Sequence, residues 1–496
     1  MRPATILPSR ATALPHPHSA GPTWATMMLV TWWLLCFVDS AWPQAQMAVF
    51  GQSVYFGMWP IHLLYLAACG LMILRQGLPA VPASLLVWWA VFGAYLTLSL
   101  IFLEARYPGS FGALATTFYR FYFFLMTIPL AFALQGTIES RQIQRVLMLL
   151  FVPLAALGLI QHFDADPILP TAAINGTFQI FAWWFQGDIR AFSLFNSGWS
   201  FGHFCVFVGT LAIWRYLFSE GVAPSWTALI YLGVAALCTY CALTRTVYLV
   251  GLGSLFATIW LERARRTGRF GGAYWLPPLF ALGGFMVARG IKDVMRWMGL
   301  GNEGIFNSGS LDIRQEAWNT WADVWLGQGL SNALFGAAVT QKDSGQFYGE
   351  STVLIDNVFI AIGVQIGLVG VLIWMGFMWV LWTFMLREAQ QRNEPLIWAI
   401  AAVWSTWPLS LMFGSGGNYY LLLLMLALLT RMRLGGNSAS LGLHPGKAAR
   451  FQVAQQGLGQ QAMPKGAQMR VVGHEQVARA RAQGFVERQI HTRQPQ

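Results

Sequence analysis

Three arginines are the residues of this chain best placed to do chemistry: Arg190 in DIRAFSLFNSGWSFG, Arg245 in ALTRTVYL and Arg314 in DIRQEAW. Each stands beside an apolar run. Arginine at the end of an apolar segment is costly without an anionic partner. Its planar guanidinium pairs with phosphate through two parallel hydrogen bonds. Three that converge would make a site for phosphate or diphosphate. Each alone equally suits an anchor that snorkels to a membrane interface.

The elements that must position them are apolar helices. Of the 496 residues, 56% are hydrophobic, 15% aromatic and 10% charged, where a soluble domain carries about 25% charged residues. Runs long enough to cross a hydrocarbon core of about 30 Å recur along the chain. The pattern predicts an all-α polytopic membrane protein with about twelve spans, at 24–40, 55–74, 83–103, 112–134, 146–163, 197–218, 225–243, 247–261, 273–289, 358–386, 396–414 and 416–431. Residues 1–23 lack the basic start and short apolar core of a cleaved signal peptide, so the first span reads as retained. The domain reading is a segment 1–23, a membrane domain 24–431 and a basic tail 432–496 whose Gly, Gln and Ala content predicts disorder.

Net charge is +11, and from Arg431 onward there are ten Lys/Arg and two acids. A basic tail after a last span is positive-inside bias, with contact to anionic lipid, and argues against a nucleic-acid partner. Loops after even-numbered spans carry Arg75, Arg141, Arg145, Arg263, Arg265, Arg266, Arg269, Arg387 and Arg392, whereas loops after odd-numbered spans hold most of the acids. Both termini are therefore expected in the cytoplasm. The loops 164–196 and 290–355 face the other side, and the three arginines share that face. Within the second loop, Leu311 to Leu326 reads as an amphipathic helix with Trp318, Trp321 and Trp325 on one side, lying on the interface or packed back on the bundle.

Five cysteines lie inside apolar runs, and Cys238 and Cys241 form a CxxC with no second pair, which reads as packing. No metal site and no cofactor is expected. His162 suits an interfacial cap, and His62 and His203 suit a packed polar core. Arg120, within an aromatic-rich span, is a further candidate as an intramembrane cation.

The order of motifs carries a resemblance. Arg190 is followed by Asn196 and a glycine leading into a span. Thr244-Arg245 sits at the end of another. Then come the R-x-x-x-W pair Arg314 and Trp318, the Gly-rich GQGLSNALFG, and Asp356-Asn357 opening a span that reads GVQIGLVGVLIW. From Asp188 to Trp374 this resembles the O-antigen ligase and O-antigen polymerase superfamily. The resemblance implies a fold akin to the GT-C glycosyltransferases and a substrate glycan on a polyprenyl diphosphate carrier. It implies transfer at the periplasmic face of a bacterial inner membrane, and a chain-length regulator and a flippase of the same pathway as partners. Arg190, Arg245 and Arg314 would hold the diphosphate, with Arg245 and Arg314 stabilising it as it leaves. Asp356 would act on the acceptor hydroxyl, and Asn357, Asn196, Trp318 and Arg120 would support. Ligases usually show His-Asn where this chain has Asp356-Asn357, and the family often has an acid where Gln365 stands. Both departures favour a polymerase over a ligase acting on lipid A core or protein. Asp356 also suits a plain helix cap. A transporter or flippase would place ionisable groups at mid-membrane and show repeat symmetry, where these charges gather at one rim. A non-catalytic scaffold would tolerate loss of all three arginines.

Overall fold

The computed structural model describes residues 81–106, 139–163, 184–185, 188–193, 195, 198–219, 226–297, 309–327, 329–336 and 357–412, with isolated positions near 70, 130 and 425; of 288–297 and 309–315, as of the short strand pair, it describes the backbone alone. The expected spans at 24–40, 55–74, 112–134 and 416–431 fall wholly or largely outside these residues, as do the segment 1–23 and the tail 432–496.

The described chain is helical apart from a two-residue antiparallel pair. In order it runs α1 (Ala83–Arg106), α2 (Ser140–Phe163), β1 (Trp184–Phe185), β2 (Asp188–Ile189), α3 (Gly198–Leu217), α4 (Trp226–Cys241), α5 (Arg245–Thr267), a 3-10 turn (Ala273–Trp275), α6 (Leu276–Trp297), α7 (Gly309–Gly327), α8 (Leu330–Phe335), α9 (Val358–Arg392), α10 (Pro395–Ser405) and α11 (Trp407–Met412). Trp184 pairs with Ile189 and Phe185 with Asp188. Among the described residues, five helical stretches are long and apolar enough to cross a membrane: α1, α2, α5, α9, and α10 with α11. The protein is thus a helical membrane protein.

The bundle is built round α3, whose residues are buried on every side, the pattern of a helix with no polar face. It packs on α4, α5 and α10. Glycine permits the closest approach: a Cβ on Gly202 would come within 2.7 Å of Val247 on α5. At one end of the bundle Trp398 stacks between Trp214, at 5.3 Å, and Phe270, at 6.0 Å. The basic ends of α5 and α9 meet there. Glu262 takes both Arg265 and Arg266 at 2.6–2.8 Å, and Arg392 bonds Glu394, Thr430 and the Ala427 carbonyl at 2.9 Å.

Two stretches expected as single spans are broken. The first is 396–414. Thr406 separates α10 from α11, because Pro408 has no N–H to continue the ladder. The second is 358–386, where Gly367 takes φ 71°, ψ 177° inside α9. On a straight helix Phe359 and Trp374 would lie about 22 Å apart, yet their ring centres are 5.7 Å apart. The first leg, 358–366, therefore bends toward the second, 368–392. The second leg alone, at about 37 Å, is long enough to span. Near the bend the Tyr95 hydroxyl donates to the Ile366 carbonyl at 2.5 Å.

The bend is keyed by α8. A Cβ on Gly367 would run into the Leu334 carbonyl, and one on Gly336, φ 93°, into the Gln365 carbonyl. Trp321 and Val324 of α7 bury Val364 of the first leg in a small core of their own, and Trp325 Nε1 donates to the Ala333 carbonyl at 3.0 Å. Of the two placements open to the tryptophan-faced helix, the structure has it packed back on protein. Gly367→Ala combines an unfavourable φ with a backbone collision, and is expected to cost about 3 kcal/mol. Gly283→Ala, with open space around it, is expected to change stability by less than about 1 kcal/mol. Thermal unfolding of both variants in detergent checks the contrast.

Candidate functional site

At the end of the bundle opposite Trp398, residues 191–193 and 195 are buried among helix ends. Gln161, two residues from the end of α2 and 0% exposed, holds them. Its Oε1 accepts from the Ser193 N–H at 2.7 Å and the Phe192 N–H at 3.3 Å, and its Nε2 donates to the Ser193 carbonyl at 3.1 Å. Ser193 has φ 53°, a conformation that persists only when its surroundings over-determine it. On the other side the Ala191 N–H donates to the Cys241 carbonyl at 2.9 Å. Ala191, Phe192, Ser193 and Phe195 are all buried.

This clamp sets Arg190 beside the turn that leads to Arg245. A Cβ on Gly198, the first residue of α3, would lie 2.8 Å from the Ala242 carbonyl and 3.5 Å from the Arg190 Cβ. The turn itself carries Leu243 at φ 46° and a Thr244 hydroxyl donating to the Ala242 carbonyl at 2.8 Å. Arg190 lies close enough to the Tyr248 hydroxyl, one turn into α5, for its charge to act there. That hydroxyl donates to the Tyr240 carbonyl at 2.7 Å. Arg245 is the first residue of α5, and no acidic residue shares its first turn. A cation there opposes the helix dipole. The backbone at Arg190 and the turn before Arg245 thus flank the N-terminus of α3, and helix N-termini favour anions.

The other expected site residues divide into three groups. Arg314 stands on α7 one turn before Trp318, and its side chain is outside the described residues, as are Asp356, Asn196 and Arg120 altogether. Asn357 caps α9, its Oδ1 accepting from the Phe359 and Ile360 N–H groups at 3.0 and 3.2 Å. Trp318 lines a cavity of about 830 Å³ between α6, α7, α11 and the two legs of α9, which Asn319, Asn357, Phe359 and Trp407 also line. That cavity is one helix away from α5. Gly253, two turns beyond Arg245, packs on Thr406, Leu409 and Phe280, which belong to the elements that wall it.

His203 is core, as expected of a histidine within a span. It is 0% exposed. The Trp199 carbonyl can only accept, so Nδ1, 2.8 Å away, carries the proton, and Nε2 accepts from the Ser410 hydroxyl at 3.1 Å. Cys205, Cys238 and Cys241 are buried and unbridged. Among the described residues no group of three His, Cys, Asp or Glu could hold a metal ion. No family model matches the chain, and no curated protein matches it.

Sequence reasoning missed Gln161, because one amide at the end of an apolar run gives no sign of which backbone it will meet. Its neighbour His162 drew the attention instead. Gln161→Leu strips partners from two N–H groups and a carbonyl in a buried place, at an expected cost of about 3 kcal/mol. Hydrogen exchange checks this: residues 190–195 lose protection first, while α3 and α10 keep theirs.

Proposed function

We propose that this chain is a polysaccharide polymerase of a bacterial inner membrane, with a GT-C-like fold of about twelve spans and both termini in the cytoplasm. It joins oligosaccharide units carried on polyprenyl diphosphate at the periplasmic face. The observation that carries this reading is that Arg190 lies beside the N-terminus of α3 and the turn leading to Arg245, the first residue of α5, at the end of an apolar bundle. An amphiphile with a diphosphate head fits such a place: the head takes the cations and its hydrocarbon stays in the membrane.

In this reading the anomeric C–O bond of the donor breaks, and negative charge builds on the departing diphosphate oxygen. Fixed guanidiniums stabilise that charge more than they stabilise the ground state. Arg245 and Arg190 hold the diphosphate, and Arg314 closes on it from α7. Asp356, immediately before the Asn357 cap, takes the proton of the acceptor hydroxyl as the new glycosidic bond forms.

The test is the glycan profile of a deletion strain carrying each variant. Arg245→Ala is expected to lower polymer formation by at least about 100-fold, leaving single units on the carrier, and Arg245→Lys to recover only part of it because the bidentate fork is lost. Long chains left on the carrier would indicate a ligase instead. Lipid-linked units retained in the cytoplasm would indicate a flippase. Unchanged chain length in Arg190→Ala and Arg245→Ala would leave the chain with no catalytic part in polymer formation.

A further inference from the structure

The exposed side chains of α5 keep to one stripe. Leu252, Leu255, Phe256, Ile259 and Trp260 are exposed, while Ala257 and Leu261 between them are buried. The stripe runs apolar for about 12 Å. One turn further on, the same face carries Arg263, which is exposed. Beyond the helix the chain folds back, so that a Cβ on Gly272 would come within 3.1 Å of the Trp260 ring. The turn that makes this return carries Arg269, also exposed, and leads to Trp275, 63% exposed at the start of α6. Two cations and two exposed indoles thus gather where an apolar stripe ends.

These cations differ from their neighbours. Arg265 and Arg266 share the carboxylate of Glu262. Among the described residues, the side chains of Arg263 and Arg269 form no ion pair or hydrogen bond. One carboxylate between two guanidiniums leaves the Glu262 group positive as well. The rest of the sequence at this end does not reverse the balance. Glu220 is the one acid in 220–225, between α3 and α4, and it neutralises one charge at most. The stretches 75–80 and 135–138 contain no acid, and from Arg431 onward ten Lys/Arg stand against two acids. That basic tail therefore adds cations wherever it lies.

We propose that the turn between α5 and α6 binds one anionic glycerophospholipid. Arg263 and Arg269 hold its phosphate, and an acyl chain lies along Leu252, Phe256 and Ile259. Each part of the lipid meets the chemistry it requires. Guanidinium pairs with phosphate through charge-assisted hydrogen bonds, tryptophan favours the level of the headgroups, and the stripe lies against hydrocarbon. A zwitterionic lipid has the same phosphate but sets a cation beside the two arginines, so selection is by net charge. The surface is at the Trp398 end of the bundle, where Phe270 stacks on that ring. It uses no residue of the Arg190 segment and does not rest on the glycan-transfer reading.

The test uses the full chain in mild detergent and phosphatidylglycerol carrying a diazirine on one acyl chain, with phosphatidylcholine bearing the same group for comparison. Mass spectrometry reads labelling of residues 252–275, which separates this surface from lipid bound by the tail. At low ionic strength phosphatidylglycerol is expected to label these residues up to about thirtyfold more strongly, the worth of two surface arginines. Arg263→Gln with Arg269→Gln should remove most of that contrast, and Arg263→Lys with Arg269→Lys should keep most of it. Arg141→Gln with Arg145→Gln, which alters two exposed arginines at the same end on α2, should leave it intact. Raising the salt on the unaltered protein should shrink the contrast, a check on the same charges that needs no substitution. Equal labelling by the two lipids, a contrast that survives in the Arg263 and Arg269 glutamine pair, or an equal loss in the Arg141 and Arg145 pair would overturn the proposal. So would sn-glycerol 3-phosphate competing as well as unlabelled phosphatidylglycerol, which would mark a site for free phosphate.

Discussion

In an apolar surrounding every backbone N–H and C=O must find its partner within the protein, and the structure of this chain is organised by the places where a helix cannot supply one. Continuous helices meet the requirement unaided. Breaks do not, and several of those described have side chains assigned to them. Gln161 serves the segment 192–193. Tyr95 serves the Ile366 carbonyl beside the bend of α9. Asn357 serves the N–H groups that open that helix, and Thr406 turns its hydroxyl to the Val403 carbonyl where α10 stops. The interruptions are also where the features of functional interest gather. Irregular backbone sets Arg190 beside the turn that leads to Arg245, and both legs of the bent α9 wall the cavity.

The cations follow the same logic. Arg265, Arg266 and Arg392 lie toward the C-terminal ends of α5 and α9, where a positive charge suits the helix dipole, and each has a carboxylate within 2.9 Å. Arg245 stands at an N-terminus, where the dipole opposes it, and Arg190 is held in place by a clamp of buried backbone bonds. The two ends of α5 thus set their arginines at opposite poles of one helix dipole.

Much of the architecture was legible as a linear pattern. The apolar runs over 83–106, 140–163, 198–217, 226–241 and 245–267 are helices within a few residues of where hydropathy puts them, since length and apolarity alone decide whether a segment can cross a bilayer. Trp318, Trp321 and Trp325 at helical spacing did mark a helix, and its register shows Trp321 and Trp325 packing on α8 and α9 while Trp318 lines the cavity. The two breaks were less legible. Gly367 in GVQIGLVG and Pro408 in TWPLS are visible as residues, but glycine and proline inside apolar runs are often tolerated, and whether a bend forms depends on what packs against it. Gly336 and the Leu334 carbonyl are what make Gly367 a bend.

The sequence by itself determined the class of solvent, the number and spacing of most helical segments described, and the gathering of basic residues at one end of the bundle, because these depend on composition and local periodicity. Only the tertiary structure decided that the backbone at Arg190 lies beside the turn that leads to Arg245. Arg190 and Arg245 are fifty-five positions apart, and the approach of their backbone segments depends on a glutamine from a third segment, a left-handed serine and two close-packed glycines, none of which has a periodic signature. The cavity and the direction of the Asn357 amide belong to the same category: they arise from how α6, α7, α9 and α11 pack, and packing is a property of surfaces in contact rather than of any stretch of chain.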